Sequence, residues 1–206
     1  MIAIIDYDAG NIRSVEKALL FQKEEAVVTR DAKVILSADG IILPGVGNFG
    51  DAMGNLVRFG LVPVISEAVE KKIPFLGLCV GLQLLFEGSE ESPGVKGLSL
   101  LPGVIRRIPA VEGLKIPHMG WNSLSFPFKG RLFDGIGEEP YVYFVHSYYL
   151  DAADKSMVCA TTEYGVTIDA SVEKGLLFAT QFHPEKSSAV GQKLLMNFAK
   201  LTREKA

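Results

Sequence analysis

The 206 residues, 48 % of them hydrophobic, are enough for one substantial core, and a single domain spanning 1–206 is expected. A net charge of −3, with no basic cluster beyond pairs such as Lys71-Lys72 and Arg106-Arg107, argues against nucleic acid or an anionic membrane as partner. Cys79 and Cys159 are too few for a disulfide framework, no apolar stretch approaches ~20 residues, and no basic segment precedes the first apolar run, so a soluble cytoplasmic protein is expected.

Taken in chain order, Ile2–Ile5 predicts a buried strand ended by an acid. Asn11 is placed to cap a helix whose apolar face is Ile12, Val15, Ala18 and Leu19. Residues 27–29 and 41–43 are further short β-type runs. Leu61, Val64, Ile65, Ala68 and Val69 recur at helical spacing, and 75–78 is the strand that delivers Cys79. Strands separated by helices predict βαβ units and a parallel sheet with helices on its faces. After about Gly88 the pattern changes. Strand-like runs at 103–108, 141–150, 158–162, 166–172 and 176–182, most of them parted by turns such as Tyr164-Gly165 and Lys174-Gly175, predict a largely antiparallel second half. Val190, Leu194, Phe198 and Leu201 mark a closing amphipathic helix. The acidic run 87–91 reads as a solvated loop.

Cys79 sits in Phe75-Leu76-Gly77-Leu78-Cys79-Val80-Gly81-Leu82-Gln83, an apolar run that climbs to a Gly-x-Cys-x-Gly turn and is predicted to leave it as an amphipathic helix. Glycines two residues to either side permit a sharp strand-to-helix reversal without Cβ clashes, the geometry of a nucleophile elbow. The start of a helix favours a thiolate there. Gly45-Val46-Gly47-Asn48-Phe49-Gly50 matches the dinucleotide pattern G-x-G-x-x-G, but it is not in the first strand-to-helix turn, and the strand after it ends at Cys79 rather than at an acid. Its position one strand before the elbow suits a different task. Val46 and Gly47 can aim a backbone N–H above Cys79, and Val80 supplies a second donor, together an oxyanion hole.

A thiolate that attacks an amide also needs a base. Of three histidines, His118 has no acid nearby and His146 lies within a strand run. His183 ends a β run and is followed two residues on by Glu185, which can reach round to orient the ring. A metal use of His183 and Glu185 lacks convincing further ligands, so neither metal nor cofactor is expected.

With G-x-C-x-G-x-Q and a later H-P-E, the chain resembles the class I (triad) glutamine amidotransferases. Pro44-Gly45-Val46-Gly47-Asn48-Phe49-Gly50 and Pro117-His118-Met119-Gly120-Trp121-Asn122 point within that family to the glutaminases of histidine biosynthesis. The resemblance covers essentially the whole chain. It implies an α/β, flavodoxin-like class I glutamine amidotransferase fold: a central mixed, mostly parallel sheet flanked by helices, with antiparallel strands in the second half. It also implies that Cys79, His183 and Glu185 hydrolyse glutamine through a γ-glutamyl thioester, with Gly45, Gln83, Ser147 and Tyr148 contacting the substrate. The ammonia released would pass to a (β/α)8-barrel cyclase subunit in a heterodimer, pressed against a Pro/Gly-shaped loop from Pro117 to Asn122, with Trp121 and Met119 as anchor. The rivals are the glutaminase subunit of pyridoxal phosphate synthase, expected to carry Gly-Gly-Glu-Ser where this chain has Gly45-Val46-Gly47-Asn48, and a non-hydrolytic flavodoxin-like cysteine protein, expected to lack the His-Pro-Glu.

Overall fold

Alternation of short apolar runs with amphipathic segments builds the first half of the chain, and the structure, a computed structural model, describes residues 1–204. In order come β1 (Ile2–Ile5), α1 (Ile12–Phe21), β2 (Ala26–Thr29), α2 (Ala32–Leu36), β3 (Gly40–Gly45), α3 (Phe49–Arg58), α4 (Leu61–Glu70), β4 (Phe75–Cys79) and α5 (Val80–Leu84). The second half adds β5 (Gly88–Ser89), β6 (Gly103–Arg107), β7 (His118–Ser123), β8 (Tyr141–His146), β9 (Tyr148–Ala152), β10 (Val158–Glu163), β11 (Thr167–Lys174), β12 (Leu177–Thr180) and α6 (Ser188–Leu201).

Seven strands form the main sheet in the order β10-β11-β12-β4-β3-β1-β2. It is parallel from β2 to β12 and antiparallel beyond. Successive strand residues point to opposite faces, and the two cores divide accordingly. Ala3, Ile5, Ile41, Leu43, Phe75 and Ala179 pack on the side of α2, α3 and α4, with Ile35, Leu56 and Ile65. Ile2, Ile4, Ile42, Leu76, Leu78 and Phe178 pack on the side of α1 and α6, with Val15, Leu19, Leu194 and Phe198. Strands buried on both faces explain why they read as continuous apolar runs rather than as alternation. Smaller sheets β5-β6-β9 and β7-β8 flank this body. Among the described residues no single helix is long and apolar enough to cross a membrane.

Several local expectations change. The helix after Cys79 has five residues, all buried, and so is not amphipathic. The run 141–150 is two strands broken at Ser147, because β8 pairs with β7 while β9 pairs with β6. The segment expected as a loop from Pro117 to Asn122 is mostly strand β7. The largely antiparallel second half holds for the pairs β6–β9, β7–β8, β10–β11 and β11–β12, while β12 also lies parallel beside β4. Helix α3 went unpredicted, and it begins inside the glycine-rich segment, with the Asn48 side chain accepting from Gly50 N and Asp51 N.

Candidate active site

Three neighbouring parallel strands end together. Gly45 of β3 lies opposite Cys79 of β4, and Leu78 lies opposite Thr180 of β12. The segments that follow, from Val46, from Cys79 and from Gln181, therefore emerge side by side at the carboxyl edge of the sheet, where open α/β folds hold ligands. With β4 in the middle, the cysteine stands between the glycine loop and the histidine.

Cys79 has φ 53° and ψ −109°, a conformation that L-residues rarely adopt. The elbow that produces it needs close backbone approach. A Cβ on Gly81 would lie 1.9 Å from the Leu43 carbonyl oxygen, and one on Gly45 would lie 2.5 Å from Gly81 N. Gly47 is the loop's conformational glycine, with φ +91° and open space around it.

His183 follows β12, and its Nδ1 is 2.8 Å from Glu185 Oε1. The turn Pro184–Lys186 is a single 3-10 turn that brings the carboxylate back onto the ring. The same oxygen accepts from Asn11 Nδ2 at 3.2 Å. Asn11 thus stands at the start of α1 without capping it, and its amide serves the carboxylate instead. The ring's other nitrogen, Nε2, is buried with no formed hydrogen bond, and the Cys79 sulfur lies within electrostatic reach of it. Burial opposes a charged ring, but Cys79 and Glu185 outweigh it and push the His183 pKa up to about 10. Burial likewise opposes ionisation of Glu185, and His183 and Asn11 override it, holding the carboxyl below its ordinary range. The sulfur receives one further contact, from Gln181 Nε2 at 3.8 Å. The arrangement is a sulfur beside a histidine ring that is braced by a carboxylate.

A cavity of about 300 Å³, suited to a small metabolite, opens on this group. It is lined by Val46, Gly47, Cys79, Val80, Gln83, Glu91, Pro117, Val145, His146, Ser147, Tyr148 and His183. Of the residues expected to meet substrate or oxyanion, Gly45 alone lies outside the lining. It is buried in the strand end, where the approach of Gly81 demands glycine. The acidic run is not merely solvated. Glu91 faces the cavity, and its Oε2 accepts from Phe49 N at 2.8 Å. With Asn48 it occupies the start of α3 that a dinucleotide phosphate would use. Glu91 and Asn11 carry no local signal in the sequence, since each reaches the site from a distant segment, whereas Gln181 lies two residues before His183 and could have been read from that spacing. On β7, Met119 is 62 % and Trp121 52 % exposed, and Trp121 meets Tyr143 edge-on. His118 on the same strand is buried.

A family model described as glutamine amidotransferase class-I matches residues 3–201. The chain is 52 % identical, over 98 % of its length and 95 % of the relative's, to imidazole glycerol phosphate synthase subunit HisH of Moorella thermoacetica. It is 47 % identical to subunit HisH 1 of that synthase from Methanococcus maripaludis, covering 98 % of this chain and 100 % of the other. A crystal structure of a glutamine amidotransferase superposes with a TM-score of 0.77 at 19 % identity, covering 98 % and 100 % of the two chains.

Proposed function

We infer that this chain, which belongs to the class-I glutamine amidotransferase family, is the glutaminase subunit of an imidazole glycerol phosphate synthase in histidine biosynthesis. The observation that carries the chemistry is that Cys79 and His183 face one cavity, with Glu185 held on the far nitrogen of the ring. Cys79 as thiolate attacks the side-chain amide carbon of glutamine. The oxygen becomes an oxyanion, for which backbone N–H groups at Val46, Gly47 and Val80 are the nearby donors. His183, protonated, gives its proton to the departing nitrogen, and ammonia leaves a γ-glutamyl thioester on the sulfur. Water, deprotonated by His183, then cleaves the thioester and releases glutamate. Glu185 keeps the ring oriented and compensates its charge throughout.

Gln83 and the backbone at Ser147 and Tyr148 line the same cavity and would hold the α-substituents of the substrate. Glu91, also in the lining, is suited to the α-ammonium group. The partner is a cyclase subunit, which we take to be a (β/α)8 barrel. The exposed Met119–Trp121 face of β7, at the strand that follows cavity-lining Pro117, supports this as the docking surface. The cyclase would consume the ammonia with a phosphoribulosyl aminoimidazole-carboxamide nucleotide, and the complex would be cytoplasmic.

Cys79→Ala tests the assignment. Loss of the nucleophile should lower glutamine turnover by on the order of 10⁶, while the complex still forms imidazole glycerol phosphate from added ammonium salt. Glutamine-dependent product at more than about a hundredth of the wild-type rate would overturn it.

A further inference from the structure

His118 and His146 are the histidines that the triad leaves unused, and their surroundings dictate the tautomer of each. His146 ends β8 with its ring buried, and its Nδ1 lies 2.9 Å from the Tyr148 carbonyl oxygen. A carbonyl only accepts, so Nδ1 carries the proton and Nε2 of the neutral ring is an acceptor. His118 Nδ1 lies 3.0 Å from that Nε2 and is therefore the donor. His118 Nε2 accepts in turn from Asn122 Nδ2 at 3.3 Å. Burial keeps both rings neutral, lowering their pKa values to about 4 for His118 and about 3 for His146. Phe144 and Tyr164 stack on the two sides of His118 and hold its plane.

The other side of the Tyr148 oxygen is equally constrained. It accepts from Gln83 Nε2 at 3.1 Å, and the second hydrogen of that nitrogen goes to Gln181 Oε1 at 3.2 Å. With both its N–H groups engaged, the Gln83 side chain can meet a ligand in the cavity only through its carbonyl oxygen. That acceptor suits the ammonium group of an amino acid.

We propose that His146, held by His118, is a positioning residue for substrate recognition: its Nδ1–H pins the Tyr148 carbonyl, which fixes the Ser147-Tyr148 backbone in the cavity wall and turns the Gln83 amide oxygen toward the α-ammonium group. This rests on the glutaminase reading. No proton crosses the histidine pair during turnover, because its polarity is set at one end by a carbonyl that cannot donate.

The test uses the chain in complex with its cyclase. In His146→Leu the KM for glutamine should rise about tenfold, as for one lost hydrogen bond, with kcat within about threefold of wild type. In His146→Asn, where a side-chain amide N–H replaces Nδ1–H, KM should return to within about threefold of wild type. Equal rises in KM in the two variants would assign the effect to ring volume and overturn the proposal, as would a fall in kcat at unchanged KM. A second measurement needs neither variant to fold. Long-range ¹H–¹⁵N spectra of the wild-type protein near neutral pH should show both His118 and His146 neutral and protonated at Nδ1, and an Nε2–H tautomer at His146 would overturn the hydrogen-bond chain. A wild-type complex that releases no glutamate would fail the functional reading instead, and the tautomer spectrum would still decide whether the chain exists.

Discussion

Replacing Cys79 by glycine and by alanine separates the two things this residue does. Its φ of 53° and ψ of −109° place an L-residue where essentially only glycine is at ease, a strain of order 1–3 kcal/mol. Both variants lack the sulfur, so both should be inactive with glutamine. Alanine keeps the strain. Glycine relieves it, but adds about 0.4–1 kcal/mol of unfolded-state entropy and loses one buried methyl group, worth about 0.8 kcal/mol. Without strain, the glycine variant should be about 1.5 kcal/mol less stable than the alanine variant, so strain near 2 kcal/mol makes the two equal or glycine slightly better. At about 2–4 °C of Tm per kcal/mol for a chain of this size, calorimetry of the two variants side by side resolves the difference. A glycine variant melting about 3–6 °C below the alanine variant would mean that the elbow stores no strain, and would refute the reasoning.

The orienting carboxylate should matter less than the base: Glu185→Ala should lower glutamine turnover by about 10⁴ and His183→Ala by about 10⁶, by analogy with a hydrolytic triad, and equal losses in stopped glutamate assays of folded variants would show that Glu185 does more than orient the ring. Stability should fall on acidification, because His146 is kept neutral in the fold, with a pKa near 3 against an ordinary value near 6.5. Its contribution is complete above pH ~6.5 and is lost as pH falls toward 3, amounting to about 2 kcal/mol by pH 5. Urea unfolding should therefore show His146→Asn losing less stability than wild type between pH 7 and 5, and parallel losses would mean that His146 does not drive the trend.

The parts of this protein that are legible from residue order are those whose physics is local. The reversal at Cys79 requires glycine at fixed offsets because backbone segments touch there, and Gly81 against the Leu43 carbonyl is the contact that enforces it. His183 and Glu185 are two residues apart, so their pairing at 2.8 Å needs only one tight turn. The 3.6-residue rhythm of α4 and α6, and the apolar runs of β1, β3 and β4, follow from single elements burying their faces. Helix α3 has the same rhythm in Phe49, Ala52, Met53 and Leu56 but passes unnoticed because it starts among glycines that read as a loop, and β7, which starts after Pro117, passes unnoticed likewise.

Neighbourhood is different, because nothing in a strand's own residues says which strand will lie beside it. That β4 sits between β3 and β12, and that β12 turns parallel after two antiparallel strands, is settled by burial of both sheet faces under α1 and α6 on one side and α2, α3 and α4 on the other. Only that order brings the glycine loop and His183 to opposite sides of Cys79. The same packing carries in Asn11, 174 residues from Glu185, and Gln181, 102 residues from Cys79, and it turns Glu91 of an acidic loop into cavity wall. The amino-acid order by itself therefore singled out Cys79, His183 and Glu185 as the proposed nucleophile, base and orienting acid, whereas the surroundings that orient and enclose them were decided by tertiary structure, because electrostatics and desolvation depend on distances through space and not on distance along the chain.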